Sequence, residues 1–273
     1  MSILPPDLLK LTRSSETQPV WFIGHGSPMN ALLDNPFTKS LGQLGASIDT
    51  PKAILVISAH WLTPGNSFVQ ASEMPETIHD FGGFPKELHQ YQYQVPGSPD
   101  MASLLAHESK LIKPTTEWGL DHGAWTVLCH LFPERNVPCF ELSIDYHKPL
   151  SYHVELSQEL QFLREKGVLI IGSGNIVHNL QASIPNLSVG KETFSYDWAE
   201  EFDAWSTQQL LDKNIDKLLD YEKAPGGKYA VPTPDHYIPM LYSIALAREK
   251  EQVYTTFEQI VYGGISMRTF DIH

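Results

Sequence analysis

The chain is short of cysteine, of positive charge and of long apolar runs, and each shortage removes a class of protein. Two cysteines in 273 residues, Cys129 and Cys139, cannot build a disulfide scaffold and lack Cys-x-x-Cys spacing. They suit a reducing compartment, so a cytoplasmic location is expected. Lysine and arginine total 19 against 32 acidic residues, a formal net charge of −13. So acidic a chain repels phosphate backbones and anionic lipid, which argues against nucleic acid and membrane partners. No apolar run approaches the roughly 18 residues of a membrane-spanning helix. The opening MSILPPDLLK sets a proline pair and Asp7 inside its apolar stretch, so it does not read as a signal peptide. Familiar catalytic signatures are missing as well. There is no His-Glu-x-x-His, no Gly-x-Ser-x-Gly elbow and no phosphate-binding GxxxxGK[ST], and GSGNIV at 172–177 lacks the third glycine of a dinucleotide fingerprint.

What is present is a globular pattern. With 42% hydrophobic residues the chain can bury a full core. Short β-branched or aromatic runs end at Gly, Pro or Ser, as buried strands do: Val20–Ile23, Ala53–Ile57, Pro138–Ser143 and Val168–Ile171. Val253–Phe257 and Gly264–Phe270 read as further strands. Amphipathic stretches between them predict helices over Ser98–Lys110, Leu150–Arg164, Asp197–Leu219 (one long or two shorter) and Pro234–Arg248, the last with Thr233 as N-cap. Strands alternating with helices predict an α/β fold with a central, largely parallel or mixed sheet. No repeat or linker divides the chain, so a single catalytic domain over 1–273 is expected, with about 1–18 as an N-terminal extension.

Twelve histidines become informative through their positions. His25 and His60 follow two buried runs, at the strand edge where open α/β sheets bind ligands. Gly24 and Gly26 around His25 allow close approach. Imidazole is the commonest side-chain metal ligand, so histidines converging on one sheet edge read as a metal site. His178 lies beyond the Val168–Ile171 strand, His122 opens a helical stretch, and His236 is placed in the first turn of another. His89, His107, His130, His147 and His153 sit in amphipathic or charged segments and read as solvated. The triplet His153-Val154-Glu155 matches the start of an iron-binding facial triad, but a helix face is the better reading. His79 belongs to a Gly- and Phe-rich segment that reads as a loop over a pocket.

Six motifs together carry a resemblance: GHGSPMN (24–30), SAHW (58–61), HDFGGFP (79–85), DHGAW (121–125), GSGNIVHN (172–179) and PTPDHY (232–237). The chain resembles the DODA-type extradiol aromatic ring-opening dioxygenases of the LigB-like superfamily from about Trp21 to its C-terminus. The resemblance implies an enzyme that opens a catechol such as L-DOPA with O₂, using one divalent metal ion. Fe(II) is implied for catalysis, and Zn(II) fits as a bound metal because the ligands are all imidazoles. His25, His60 and His236 match ligand positions. His178 matches either a further ligand or the acid/base, and His122 a histidine on the substrate side. The two glycines before His178 suggest slack in its loop, which favours the acid/base role over coordination. Trp61, Phe81, Phe84, Trp125 and Tyr237 are candidates to wall an aromatic ring. A zinc hydrolase and a non-catalytic metal-binding protein are the alternatives.

Overall fold

A computed structural model describes residues 17–273. The expected N-terminal extension and the opening stretch lie outside the described residues, apart from Thr17 and Gln18. Ten strands are found among them: β1 (Val20–Gly24), β2 (Ala53–Thr63), β3 (Ser67–Gln70), β4 (Ile112–Thr115), β5 (Cys139–Asp145), β6 (Val168–Gly174), β7 (Val253–Phe257), β8 (Ile260–Val261), β9 (Ile265–Ser266) and β10 (Thr269–Ile272). Eight of them form one sheet in the order β4-β3-β5-β2-β6-β1-β10-β7. The centre, β5-β2-β6-β1, is parallel; β3 against β5, β10 against β1 and β7 against β10 are antiparallel. The sheet is therefore mixed, with a parallel heart.

The continuous apolar runs are explained by burial on both faces. Along β1, Val20 and Phe22 join one hydrophobic cluster while Trp21 and Ile23 join the other. β2 repeats the division, with Leu55 and Ile57 on one side and Ile54 and Val56 on the other. The first cluster is closed by the helices Pro99–Glu108, Leu150–Gln158, Asp197–Leu211 and Ile238–Ala245. Pro36–Gly45 and His122–Leu131 close the second.

Several expected boundaries move. The stretch 150–164 breaks into Leu150–Gln158 and Gln161–Glu165, whereas 197–219 forms two shorter helices, one of the two arrangements expected, Asp197–Leu211 and Ile215–Leu219. The helix expected over 234–248 spans only Ile238–Ala245, capped at Tyr237 rather than Thr233. Prolines 232 and 234 hold the preceding segment in turns, so His236 precedes the helix instead of lying in its first turn. The strand expected over 264–270 divides into β9 and β10, the chain leaving the ladder at Met267 and Arg268, whose guanidinium is bound to Asp203. His153 is fully buried rather than solvated, its Nδ1 3.1 Å from the Tyr242 hydroxyl, because Leu150–Gln158 packs on Ile238–Ala245.

Candidate metal centre and catechol pocket

Three neighbouring parallel strands deliver histidines to one edge of the sheet. β1 ends at Gly24 and is followed directly by His25. β2 does not end before His60, as the sequence suggested; it runs on to Thr63. Its ladder with β5 breaks between Ile57 and Leu62, which face Leu142 and Ile144. Ser58–Trp61 thus bulge out of register, and the bulge re-aims His60. β6 runs through Gly174, so the glycines before His178 belong to the strand and give no slack. The His178 amide donates to the Ala230 carbonyl at 2.8 Å, and the residue bridges to Ile265.

The hydrogen bonds fix the tautomers. The Ser173 hydroxyl donates to the Gly123 carbonyl at 2.6 Å, so at 3.0 Å it must accept from His25 Nδ1. His236 Nδ1 bonds Asp235 in the same way, and at His60 the Asp80 carboxylate, with Oδ2 3.2 Å from Nδ1, favours a proton on that nitrogen by its charge. Each ring is therefore left with its lone pair on Nε2. His25 Nε2 and His60 Nε2 face each other at 3.2 Å. Two nitrogens each about 2.1 Å from one ion, at an angle near 100°, stand about 3.2 Å apart. His25, His60 and His236 offer nitrogens all within 4.8 Å of one another. Three lone pairs so placed repel unless a cation lies among them, so the donor set fits a metal ion.

Electrostatics keep these rings neutral. Burial, then the neighbouring imidazoles, push His25 and His236 well below the usual histidine range. Burial and His122 bring His60 down to about 3, against the pull of Asp80. His178 falls to about 4, again mainly through burial. It lies outside that three-way group, though with Asp235 and His236 it forms another set of ligand atoms within 4.8 Å, and it stacks on His236 with centroids 3.5 Å apart and planes 7° apart.

Asp80 is the residue that the sequence reading passed over. Its Oδ2 lies 2.8 Å from His122 Nδ1 as well as 3.2 Å from His60 Nδ1, while its Oδ1 accepts the His122 amide at 3.0 Å. Burial alone would raise this carboxyl; the bonds from His122 and the nearby His60 hold it down to about 2. The only signal was its place in His79-Asp80-Phe81, beside a histidine that drew attention instead. His79 points elsewhere, its Nε2 2.9 Å from the Tyr91 carbonyl oxygen. His122 stands at the start of helix His122–Leu131, which Asp121 caps.

A cavity of about 260 Å³ opens over the cluster, with His25, His60, His122, His178 and His236 on its floor. Phe81 and Phe84 wall it as expected, joined by Leu180, Leu187, Val261 and Ile265. Trp61 does not: it stacks on Trp118 at another, shallower cavity. Trp125 and Tyr237 are buried, bonded to the carbonyls of Ile78 and Leu218.

The sequence is 38% identical to 4,5-DOPA dioxygenase extradiol of Escherichia coli (strain K12), over 98% of this chain and all of that one. It is 39% identical to the 4,5-DOPA dioxygenase extradiol of Beta vulgaris, over 85% of this chain and 88% of that one. A crystal structure of an uncharacterized protein from Escherichia coli K12 superposes with a TM-score of 0.76 at 33% identity, covering 94% of this chain and all of that one. Residues 20–268 match the catalytic LigB subunit of aromatic ring-opening dioxygenase. With that match falling on a histidine-rich sheet edge under an aromatic-walled cavity, the chain belongs to the LigB family and is a metal-dependent extradiol ring-cleaving dioxygenase.

Proposed function

We propose that the substrate is a catechol of the L-DOPA kind, that His25, His60 and His236 hold the metal, and that His122 and His178 move the protons. The observation that carries this reading is the convergence of three imidazoles, each with a ligand nitrogen within 4.8 Å of the others and an oxygen beside Nδ1. When bound there, Fe(II) supplies open positions for a catecholate and O₂ together, which overcomes the spin barrier between triplet dioxygen and a closed-shell ring. Zn(II) fits the same nitrogens but has no redox chemistry.

The chain's own residues do the rest. Three neutral imidazoles bring no charge, so the site keeps the cation's full attraction for a catecholate. His122 spends its Nδ1 proton on Asp80, leaving Nε2 to take a proton from a catechol hydroxyl. The Asp80 carboxylate then stabilises the imidazolium that forms. His178, neutral in its buried setting and stacked on His236, would receive and return a proton at the ring. Phe81 and Phe84 exclude water and pack the aromatic face.

One sheet shared by both cores supports a single catalytic domain, and the free thiols of Cys129 and Cys139 suit a cytoplasmic location. Anaerobic loading with Fe(II), and separately with Zn(II), followed by oxygen uptake tests the function. With Fe(II), L-DOPA should consume one O₂ per ring and give a yellow ring-opened semialdehyde; with Zn(II) uptake should be absent. Oxygen consumption without a new visible band across a catechol panel would sink ring cleavage.

A further inference from the structure

Two acidic side chains beside the site, Asp121 and Glu141, are fully buried and take no part in the proton transfers above. Glu141 belongs to β5 and pairs with Val56 of β2, two residues before the Ser58–Trp61 bulge. Against β5 the ladder is broken across that bulge, so side-chain bonds must hold it on this side. The two carboxyl oxygens of Glu141 reach both of its ends. Oε1 accepts the Asp121 amide at 2.9 Å, and Asp121 Oδ1 in turn accepts the Ser58 hydroxyl at 2.6 Å. Ser58 Oγ accepts the His60 amide at 3.2 Å. Oε2 accepts the Trp118 indole N–H at 3.1 Å, and Trp118 stacks on Trp61 with planes 7° apart. His60 thus lies between two residues, Ser58 and Trp61, that one carboxyl group holds through Asp121 and Trp118.

We propose that Glu141 is a positioning residue for the metal centre, which shares one proton with Asp121 and, through Asp121 and Trp118, holds the bulge that aims His60. The inference rests on the reading of His60 as a ligand. The proton follows from the surroundings of the pair. The two carboxyl groups lie within hydrogen-bonding reach of each other, and the neighbours that act on them are Ser58, Asp80, Trp118 and His122, none of them a lysine or arginine. Asp121 Oδ2 is buried with no donor facing it among the described residues. Two buried carboxylates so placed cannot both stay ionised, and one proton held between them supplies the donor that Oδ2 lacks. Burial raises both groups, Asp121 to about 6 and Glu141 well above the usual carboxylate range.

Two measurements on the Zn(II)-loaded protein test the proposal without depending on ring cleavage. Infrared spectroscopy at neutral pH reads the proton. The difference between wild type and Glu141→Gln, whose amide can donate to Asp121 in the proton's place, should contain the carbonyl band of a protonated carboxylic acid. Zn(II) affinity by chelator competition reads the positioning. Glu141→Ala should weaken it by about 10–100-fold, the range for groups that orient a ligand, and Glu141→Gln should recover most of that loss. Trp118→Phe, which keeps a ring against Trp61 but gives up the bond to Glu141, should weaken it in the same direction and decides the matter where Glu141→Ala does not fold. An empty difference spectrum, or equal losses in Glu141→Gln and Glu141→Ala, overturns the shared proton. Wild-type Zn(II) affinity in those of Glu141→Ala and Trp118→Phe that fold overturns the positioning role. Undiminished affinity in His60→Ala would instead overturn the ligand reading on which that role rests.

Discussion

Asp80 shows how much a single carboxylate can organise. One oxygen accepts a hydrogen bond from His122 and lies within ion-pair distance of His60, and the other accepts from a helix-terminal amide. Partners of this kind set the orientation and basicity of a metal-binding histidine, and their loss costs about 10–100-fold in metal affinity or activity. Asp80→Asn keeps the shape but loses the charge, so metal affinity by chelator competition should weaken within that range while the fold persists. Unchanged affinity together with unchanged turnover would remove Asp80 from the machinery. His178 is the contrasting case. It is not one of the three imidazoles His25, His60 and His236 that converge with all-nitrogen donors, so His178→Ala should keep Fe(II) at near-normal occupancy while turnover falls by roughly 10²–10⁴-fold. Restoration of activity by excess Fe(II) would make it a ligand.

Strand ends and turns hold these residues at fixed separations. Gly174, the last residue of β6, packs so closely on the turn carrying His236 that an added Cβ would stand 2.2 Å from the His236 carbonyl oxygen. The same turn accepts the Asn175 amide through that carbonyl at 2.8 Å. Gly174→Ala should therefore push His236 away from His25. The expected loss is about 1–3 kcal/mol of stability from overpacking, together with reduced metal occupancy by elemental analysis. Full occupancy at wild-type stability would show that the turn yields freely. On the other side of the site, the Asp121 cap is buried against Glu141 and accepts from Ser58 at 2.6 Å. That contact ties the start of helix His122–Leu131 to the β2 bulge, so His60 and His122 are positioned by one joint.

At the scale of the whole molecule, buried imidazoles make stability depend on acid. His60 at about 3, His178 at about 4 and His153 at about 4 stay neutral in the fold, while the unfolded chain protonates them near 6.5. Above about pH 6.5 both states are neutral and the groups contribute nothing to the pH dependence. Below it the unfolded state binds more protons, so stability falls as pH drops from 6.5 towards 4. Each group adds up to about 1.4 kcal/mol per pH unit to that slope. Asp121, raised to about 6 by burial and by Asp80, works in the opposite direction. His153 isolates the effect because it lies away from the cavity. His153→Gln should flatten the decline of the urea midpoint of metal-free protein between pH 6.5 and 4. An unchanged slope would place the decline in other groups.

The central strands were legible because burial on both faces leaves an unbroken apolar run, as in Ala53–Ile57 and Val168–Ile171. The strands β3 and β4 at one side of the sheet were not, since Ser67–Gln70 and Ile112–Thr115 are short and carry polar residues or a proline. His25, His60, His122, His178 and His236 could be named from their motifs, and tertiary structure does bring them onto one cavity floor. Sequence by itself determined the α/β alternation and which histidines to gather, because strand-end position and motif are local properties. Only the fold decided that Asp80 joins His60 to His122, that a bulge turns His60 inward, and that His153 is buried against Tyr242. Those facts depend on which distant segments pack together, and a pairing across 42 residues leaves no periodic trace along the chain.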